Sequence, residues 1–389
     1  MGRWRLVSAI AAIAILVCCG TARANRLVTV TIPAGAYVAP QWWGYSGPPR
    51  ADVLLPTAYR SSASYPLLVL LHGLQSNYAW YADHGIQQIM AGLDAIVVMP
   101  EGANGWYTDW WNNGERGKPS WESYELDAVL PYVLKHYRIR SQRRYHAIAG
   151  ISMGGLGATY LGGRLPGFFG SVATLSGFVD PQEYGEWAAE GEPLTSLAPF
   201  EGDFDFDAVE GPWNGFYATG HNPTALVKNL LHTRVFESTG TGAPTSAGYA
   251  DPGDGLEGTA LEAGIIYPMN RAYHAALTAN GVHSTYQVHA GGHDAPDFVP
   301  ELEAMLKWGL FKPVTSLPHS WTNQTVATSG QLWDIGYRFA SPPAGVVTFR
   351  QSGRSVSVSA AGSDVTLMTA KGCVLHRRTP TIVKLPRHC

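Results

Sequence analysis

The stretch of sequence that decides the fold lies near the middle of the chain and reads Tyr145-His146-Ala147-Ile148-Ala149-Gly150-Ile151-Ser152-Met153-Gly154-Gly155. Its first five residues are typical of a buried strand, and the residues after Gly155 are typical of a helix. Between them stands Gly150-x-Ser152-x-Gly154, the nucleophile-elbow frame. Any side chain at positions 150 or 154 would collide with neighbouring backbone. The sequence therefore predicts a Ser152 hydroxyl raised above a sheet, beside a helix N-terminus that favours negative charge. The alternative is a glycine-rich turn that happens to contain a serine.

Strand and helix patterns alternate on both sides of this elbow. Apolar runs predict strands at residues 27–32, 53–56, 65–71, 95–99, 145–149, 171–175, 234–237 and 286–290, and helical spacing appears at 121–137, 262–279 and 300–311. This alternation predicts an α/β fold, with a mostly parallel sheet and helices on both faces. Ligands bind such sheets at the carboxyl ends of the strands. We therefore expect His72-Gly73, Ser152 and the segment after Glu237 to share one rim.

The N-terminus has the features of a targeting segment. Arg3 and Arg5 precede an apolar stretch, residues 6–17, and Ala22-Arg23-Ala24 is an A-x-A cleavage site. We expect a signal peptide over residues 1–24, cleaved near Ala24, and a mature protein that is secreted or held in the cell envelope. The apolar stretch is too short to predict an integral membrane span.

Composition narrows the remaining choices. The chain has 389 residues, is 46% hydrophobic and carries a net charge of −3 without a basic block, so nucleic acid is not an expected partner. No cofactor or metal is predicted. After cleavage only Cys373 and Cys389 remain, and an even pair in an exported protein predicts one disulfide, with two free thiols as the alternative.

The predicted organisation is a catalytic unit followed by a small β unit. Residues 25–313 form the α/β unit, within which residues 181–230 are an insertion predicted to act as a partial lid. After residue 313 the helical patterns end. Short strand patterns separated by Gly, Ser and Pro predict a small β-sandwich over residues 314–389.

A serine hydroxyl becomes a nucleophile only when a base takes its proton. His293 is the predicted base, because it lies in Gly291-Gly292-His293, just after the last predicted strand. The chain order serine, acid, histidine is that of this architecture. The rival histidines fit the expected position less well; they are His146, His274, His283 and His289.

The acid should lie between Ser152 and His293. Four carboxyl residues follow the strand near Glu237 in that interval, namely Asp251, Asp254, Glu257 and Glu262. Glu262 is favoured because it stands where a loop is expected to become a helix, a fixed place from which to orient an imidazole. Asp254 is the alternative acid.

Two backbone N–H groups should receive the negative charge of a tetrahedral intermediate. They are predicted at Met153, directly after the nucleophile, and at Leu74, in the loop after the strand that ends at Leu71. Trp106, Trp110 and Trp111 follow another strand end and are a candidate substrate wall. An equally supported alternative is that these three indoles serve only in ordinary packing.

With these segments in view, the chain resembles the esterase D-like α/β-hydrolases, and among them the secreted mycolyltransferases of the antigen complex. The matching segments include Leu71-His72-Gly73-Leu74, Trp121-Glu122, Leu175-Ser176-Gly177 and Gly291-Gly292-His293. The resemblance implies a Ser152–Glu262–His293 triad with oxyanion donors at Leu74 and Met153. The mycolyltransferases carry Asp-Gly-Leu-Arg where this chain has His72-Gly73-Leu74-Gln75, and their charged residues there help to hold a sugar acceptor. The resemblance therefore implies acyl-serine chemistry and leaves the acceptor open.

Three functions are compatible with the sequence. The first is an exported serine hydrolase of carboxylic esters, with an ester or lipid as substrate. The second is an acyltransferase of the mycolyltransferase kind, which passes the acyl chain to a sugar or lipid hydroxyl. The third is a non-catalytic protein that binds glycan or cell wall. Association with the cell envelope is a further expectation.

Overall fold

An eight-stranded sheet forms the centre of the larger part of the molecule. The computed structural model describes residues 25–38, 41–42, 45–183, 206–245 and 255–389. The strands of this sheet are β1 (Arg26–Thr31), β4 (Arg50–Leu55), β5 (Leu67–Leu71), β6 (Ile96–Pro100), β9 (His146–Ile151), β10 (Ser171–Leu175), β11 (Arg234–Gly240) and β12 (Ser284–His289). Their spatial order is β1-β4-β6-β5-β9-β10-β11-β12. In this spatial order, every adjacent pair from β6 onward is parallel. Strand β4 is antiparallel to both of its neighbours, β1 and β6. The predicted α/β-hydrolase fold is confirmed.

Helices cover both faces of this sheet because the side chains of its inner strands are mainly apolar. The residues of β5, β6, β9 and β10 are all buried. The helices are Trp80–Asp83, Ile86–Ile89, Trp121–Tyr124, Leu130–His136, Met153–Arg164, Phe206–Glu210, Phe216–His221, Gly255–Leu261, Tyr267–Ala279 and Ala295–Trp308. Two separate apolar clusters lie on opposite sides of the sheet, one containing Leu156 and Met269, the other containing Phe298 and Met305. The inner strands therefore contribute alternate side chains to two cores. Two short hairpins, β2 (Gln41–Trp42) with β3 (Tyr45–Ser46) and β7 (Asp109–Trp110) with β8 (Gly117–Ser120), lie outside the sheet.

The C-terminal part consists of two antiparallel sheets. One has the order β13 (Ser320–Thr325), β16 (Val347–Ser352), β17 (Ser355–Val358), β20 (Thr381–Lys384), and the other β14 (Ser329–Leu332), β15 (Ile335–Phe339), β18 (Val365–Thr369), β19 (Val374–Arg377). They share an apolar core of their own, which includes Tyr337, Phe349 and Leu367. A disulfide joins Cys373 to Cys389. A separate core supports the prediction that a distinct unit begins at residue 314.

Three predicted helices differ in detail from the structure. The helix expected over residues 300–311 spans Ala295–Trp308. The helix expected over residues 121–137 contains a π-helical turn at Glu125–Val129. The helix expected to begin at Glu262 begins at Gly255, and Glu262 instead opens a π-helical turn, Glu262–Ile266, within it. Gly255 and Gly258 explain this error, because glycine is a poor helix former and its presence indicates a loop.

The insertion predicted over residues 181–230 is described in part. Its helices Phe206–Glu210 and Phe216–His221 pack near β7, and Tyr217 Oη donates to the Asp109 carbonyl. Residues 184–205 and the predicted signal peptide, residues 1–24, lie outside the described residues, so both the lid and the signal peptide stay predictions. Within the described part of the chain, no helix is both long and apolar enough to cross a membrane.

Candidate active site

The turn after β9 holds Ser152 in an unusual backbone conformation. Ser152 has φ 53° and ψ −121°, a region that costs a non-glycine residue about 1–3 kcal/mol. A Cβ on Gly150 would lie 2.2 Å from the Gly154 carbonyl oxygen, and a Cβ on Gly154 would lie 2.2 Å from the Leu71 carbonyl oxygen. Only glycine can therefore occupy both positions. Ser152 directly precedes the helix Met153–Arg164, which we call the elbow helix.

The structure brings Ser152, His293 and Glu262 together in a line of hydrogen bonds. Ser152 Oγ lies 2.8 Å from His293 Nε2, and His293 Nδ1 lies 2.7 Å from Glu262 Oε2. Because a carboxylate accepts, the Nδ1 proton points at Glu262, and the Nε2 lone pair faces the serine hydroxyl. The backbone of His293 is held by its N–H, which donates to the Gly258 carbonyl at 3.0 Å, and the imidazole packs in a T-shaped contact with Phe298, 5.1 Å away between ring centres. This arrangement can remove a proton from Ser152.

Hydrogen bonds also fix the buried carboxylate behind His293. Glu262 is fully buried, and its Oε1 accepts from Ser176 Oγ at 2.8 Å and from Thr239 Oγ1 at 2.7 Å. With the imidazole on Oε2, both oxygens have donors, as a buried carboxylate requires. Ser176 and Thr239 were not predicted as site residues. Ser176 belongs to the Leu175-Ser176-Gly177 segment at a strand end, and that position was the only available signal.

Glu262 is oriented by the π-helical turn rather than by a helix start. Such turns add a residue to a helix and recur at functional sites. Asp254, the alternative acid, lies outside the described residues. Glu257 lies in the helix Gly255–Leu261 and is exposed.

The two predicted oxyanion donors flank Ser152. Met153 is the first residue of the elbow helix, and the first N–H groups of a helix have no acceptor within it. On the other side, a Cβ on Gly73 would lie 3.4 Å from Ser152 Cβ, so the loop carrying Leu74 passes against the serine. Gln75, the next residue, has φ 56° and its N–H donates to Asn104 Oδ1 at 2.7 Å. Helix start and loop therefore border the same small space.

His72 supports this loop through hydrogen bonds of its buried ring. Its ring is buried, with Nδ1 2.8 Å from the Gly73 carbonyl oxygen and Nε2 accepting the Gly102 N–H at 2.9 Å. Because Nε2 accepts from backbone, it carries no proton, and Glu101 at 3.5 Å is a neighbour without an ion pair. Tyr107 Oη adds a hydrogen bond to the His72 carbonyl at 3.1 Å. The imidazole thus links two strand ends.

The three tryptophans lie mostly inside the protein. Trp106 and Trp110 are buried, Trp106 against Phe178 with ring centres 5.1 Å apart. Trp111 is half-buried and packs on Tyr217 at 5.0 Å. Their role as a substrate wall stays a prediction, in which Trp111 has the most exposed surface.

One grouping with metal-ligand spacing occurs among the described residues, at Cys373, His388 and Cys389. The two sulfurs are joined in the disulfide, so they offer no thiolates.

Comparison with known proteins shows which family this chain belongs to. A family model described as putative esterase matches residues 46–308. An esterase of Mycobacterium tuberculosis strain H37Rv is 29% identical over 256 residues, which cover 63% of this chain and 52% of the esterase. The Ag85A diacylglycerol acyltransferase/mycolyltransferase of Mycobacterium leprae is 28% identical over 273 residues, which cover 63% of this chain and 76% of Ag85A. The chain thus spans about half the length of that matched esterase.

Solved structures show the same fold. MPT51 (FbpC1) of Mycobacterium tuberculosis has a TM-score of 0.55 at 20% identity, over 74% of this chain and 99% of MPT51. An S-formylglutathione hydrolase of Agrobacterium tumefaciens has a TM-score of 0.56 at 17% identity, over 75% of this chain and 98% of the hydrolase. The resemblance to esterases and mycolyltransferases is confirmed. Because the family match covers well over half of its residues, the chain belongs to the putative esterase family.

Proposed function

We propose that this chain is an exported serine hydrolase that cleaves carboxylic esters. The observation that carries the proposal is the continuous hydrogen-bonded line from Ser152 Oγ through His293 to Glu262, with distances of 2.8 and 2.7 Å. Membership of the putative esterase family supports the same class of reaction.

The reaction follows from this geometry in two halves. His293 Nε2 takes the Ser152 proton while Oγ attacks the ester carbonyl carbon, and the oxyanion forms between the Met153 and Leu74 N–H groups. The resulting imidazolium is stabilised by Glu262 and returns the proton to the leaving alcohol. Water then attacks the acyl-serine by the same steps in the second half, and the acid leaves. Ester hydrolysis by this route is ping-pong.

The proposal is tested by replacing the nucleophile. Ser152→Ala should hydrolyse p-nitrophenyl esters of graded acyl length at least 10³-fold more slowly than the unmodified protein, on the order expected for loss of a triad member. Ser171→Ala is a matched control, since Ser171 is also a buried serine but donates to the Leu310 carbonyl away from the elbow. Wild-type rates in Ser152→Ala would end the proposal.

Acyl transfer is the second candidate, favoured by the similarity to the Ag85A acyltransferase. The same acyl-serine would form, and a sugar or lipid hydroxyl would replace water as the second nucleophile. Product analysis with and without a sugar acceptor separates the two: transfer gives a new ester of the sugar, whereas hydrolysis gives only free acid. We infer no acceptor from the present site, because His72 is buried where the mycolyltransferases carry an acidic residue.

Export is part of the proposal. It is supported by the arginine-flanked apolar stretch and A-x-A site of the N-terminus and by the disulfide between Cys373 and Cys389, since such bonds persist in oxidising compartments. Association with the cell envelope would follow from an ester or lipid substrate there. N-terminal sequencing of the protein recovered from culture medium should begin near Asn25.

A further inference from the structure

A second carboxylate–imidazole pair lies directly behind Glu262. Glu301, on the helix Ala295–Trp308, has a fully buried side chain, and its Oε1 lies 2.8 Å from Nε2 of His289, the last residue of β12. Ser176 joins this pair to the candidate triad. Its Oγ lies 2.8 Å from Glu262 Oε1 and 3.1 Å from Glu301 Oε1.

The contacts of His289 show where protons must lie. Nδ1 is 2.7 Å from the Ala290 carbonyl, which can only accept, and Nε2 faces the Glu301 carboxyl. A proton must therefore lie between Nε2 and Glu301 as well, on one group or the other. Burial raises the pKa of Glu301, and the hydrogen bond to Glu301 raises the pKa of His289 to about 9. The pair thus keeps this shared proton at neutral pH and titrates as one unit.

Ser176 has a single proton for two carboxyl groups. While the pair holds its proton it is neutral overall, and the Ser176 hydroxyl is free to donate to Glu262. Once that proton leaves, Glu301 becomes a buried anion without a counter-charge and competes for the same hydroxyl. The other titratable groups nearby are Glu262 itself, His293 beyond it, and Asp297, whose carboxylate accepts the Gly292 N–H at 2.6 Å.

We propose that His289 and Glu301 are positioning residues, which share a proton so that Ser176 donates to Glu262 and keeps that carboxylate aligned with His293. This inference rests on the proposed function of the Ser152–His293–Glu262 line. Neither residue touches the reacting atoms. Their effect is on kcat, because they order the group that orients the base, and KM is expected to stay within about twofold.

The test measures kcat and KM for p-nitrophenyl butyrate from neutral pH to about pH 10.5, with the uncatalysed rate subtracted. The unmodified enzyme should lose kcat as pH rises through about 9, where the pair loses its proton. Glu301→Gln should abolish this alkaline decline. His289→Gln should lower kcat at pH 8 by about tenfold, and the double variant should recover most of that loss because the uncompensated carboxylate is gone.

A matched control is Glu237→Gln. Glu237 is also a fully buried carboxylate paired with a histidine, His274, at 3.0 Å, and its hydrogen bonds do not reach Ser176 or Glu262. The Glu237→Gln variant should therefore keep the alkaline decline in kcat. An alkaline decline that persists in Glu301→Gln, or an unchanged kcat in His289→Gln, would overturn the inference; His289 is 28% exposed, so this second variant is expected to fold. Failure of the proposed function is distinguishable, since it would appear as activity in Ser152→Ala.

Discussion

The two ends of the elbow helix carry buried polar networks made of similar residues, yet only one has the geometry of an active site. At its start, Glu262, His293 and Ser152 form one line. At its end, about 18 Å away at 1.5 Å per residue, Arg164 Nε donates to the buried Glu122 at 2.6 Å. His221 lies 3.7 Å from the same carboxylate. Both ends thus combine a buried glutamate with a histidine.

The two networks differ in whether they end in a group that can react. We call the network around Glu122 closed because it does not. Both oxygens of Glu122 have donors, from Arg164 and from Tyr160 Oη at 2.7 Å. Arg164 also donates to Tyr337 Oη and to the Ser329 carbonyl, both at 3.2 Å, which ties the α/β part to the C-terminal strands. At the other end the line stops at a hydroxyl whose proton can be removed and whose oxygen can then attack. Residue types alone therefore do not define the candidate site. What distinguishes it is a terminal hydroxyl that is placed to react.

The largest expected contrast comes from the two histidines. His293→Gln should lower kcat/KM for p-nitrophenyl esters by roughly 10³- to 10⁶-fold, because no base remains for Ser152. His221→Gln, which changes a buried histidine at the closed end, should leave kcat/KM within about threefold. Steady-state kinetics on both purified variants, with circular dichroism as the folding control, make the comparison. Equal losses of kcat/KM in the two variants would contradict this contrast.

Replacing Glu262 should lower kcat more than replacing Glu122 does, by a smaller factor than the one expected between the two histidines. Glu262→Gln should lower kcat by roughly 10²- to 10⁴-fold, because an amide can favour the wrong imidazole tautomer. Glu122→Gln should alter stability more than kcat. Measuring kcat together with the urea midpoint for each variant separates the two effects, and a Glu262→Gln enzyme of normal kcat would point to another acid, with Asp254 next in line.

Stability should respond most strongly at the closed end. Arg164→Met leaves Glu122 buried without its cation, and breaking a buried pair in this way costs about 3–5 kcal/mol. Urea unfolding should show this loss while kcat of the folded fraction changes little. The double variant Arg164→Met/Glu122→Gln should recover part of the stability, since the unpaired charge is removed. A double variant no more stable than the single one would contradict this account of the ion pair.

The smallest expected effect is a dependence of stability on acid pH. Burial acts to raise the pKa of Glu122, but the Arg164 guanidinium together with His221 and the Tyr160 hydroxyl outweighs it and lowers the pKa to about 2, from 4.5 in the unfolded chain. A carboxyl group with a depressed pKa stabilises the fold above its unfolded value, and that contribution is lost as pH falls from about 4.5 towards 2. Urea midpoints across this window should fall less steeply in Glu122→Gln than in the unmodified protein. Parallel curves would show that Glu122 is not the group responsible.

Local sequence patterns were sufficient for the fold and for the serine end of the site. The apolar runs of β5, β6 and β9 and the glycines at 150 and 154 each leave one structural solution, because buried strands and tight turns restrict residue types strongly. Sequence order then selected His293. The contact between Glu262 and His293 depends on a π-helical turn at Glu262–Ile266, which the sequence predicts only as the start of an ordinary helix. Ser176, Thr239 and Glu301 make contacts between segments distant in sequence, and a single hydroxyl or carboxyl has no periodic pattern to reveal it.

The most direct test of the central claim is intact-protein mass spectrometry after treatment with a fluorophosphonate probe, followed by peptide mapping. The account predicts one adduct, on Ser152, that is absent from Ser152→Ala and forms far more slowly in His293→Gln. No adduct on the unmodified, folded protein, or an adduct on a different serine, would contradict it.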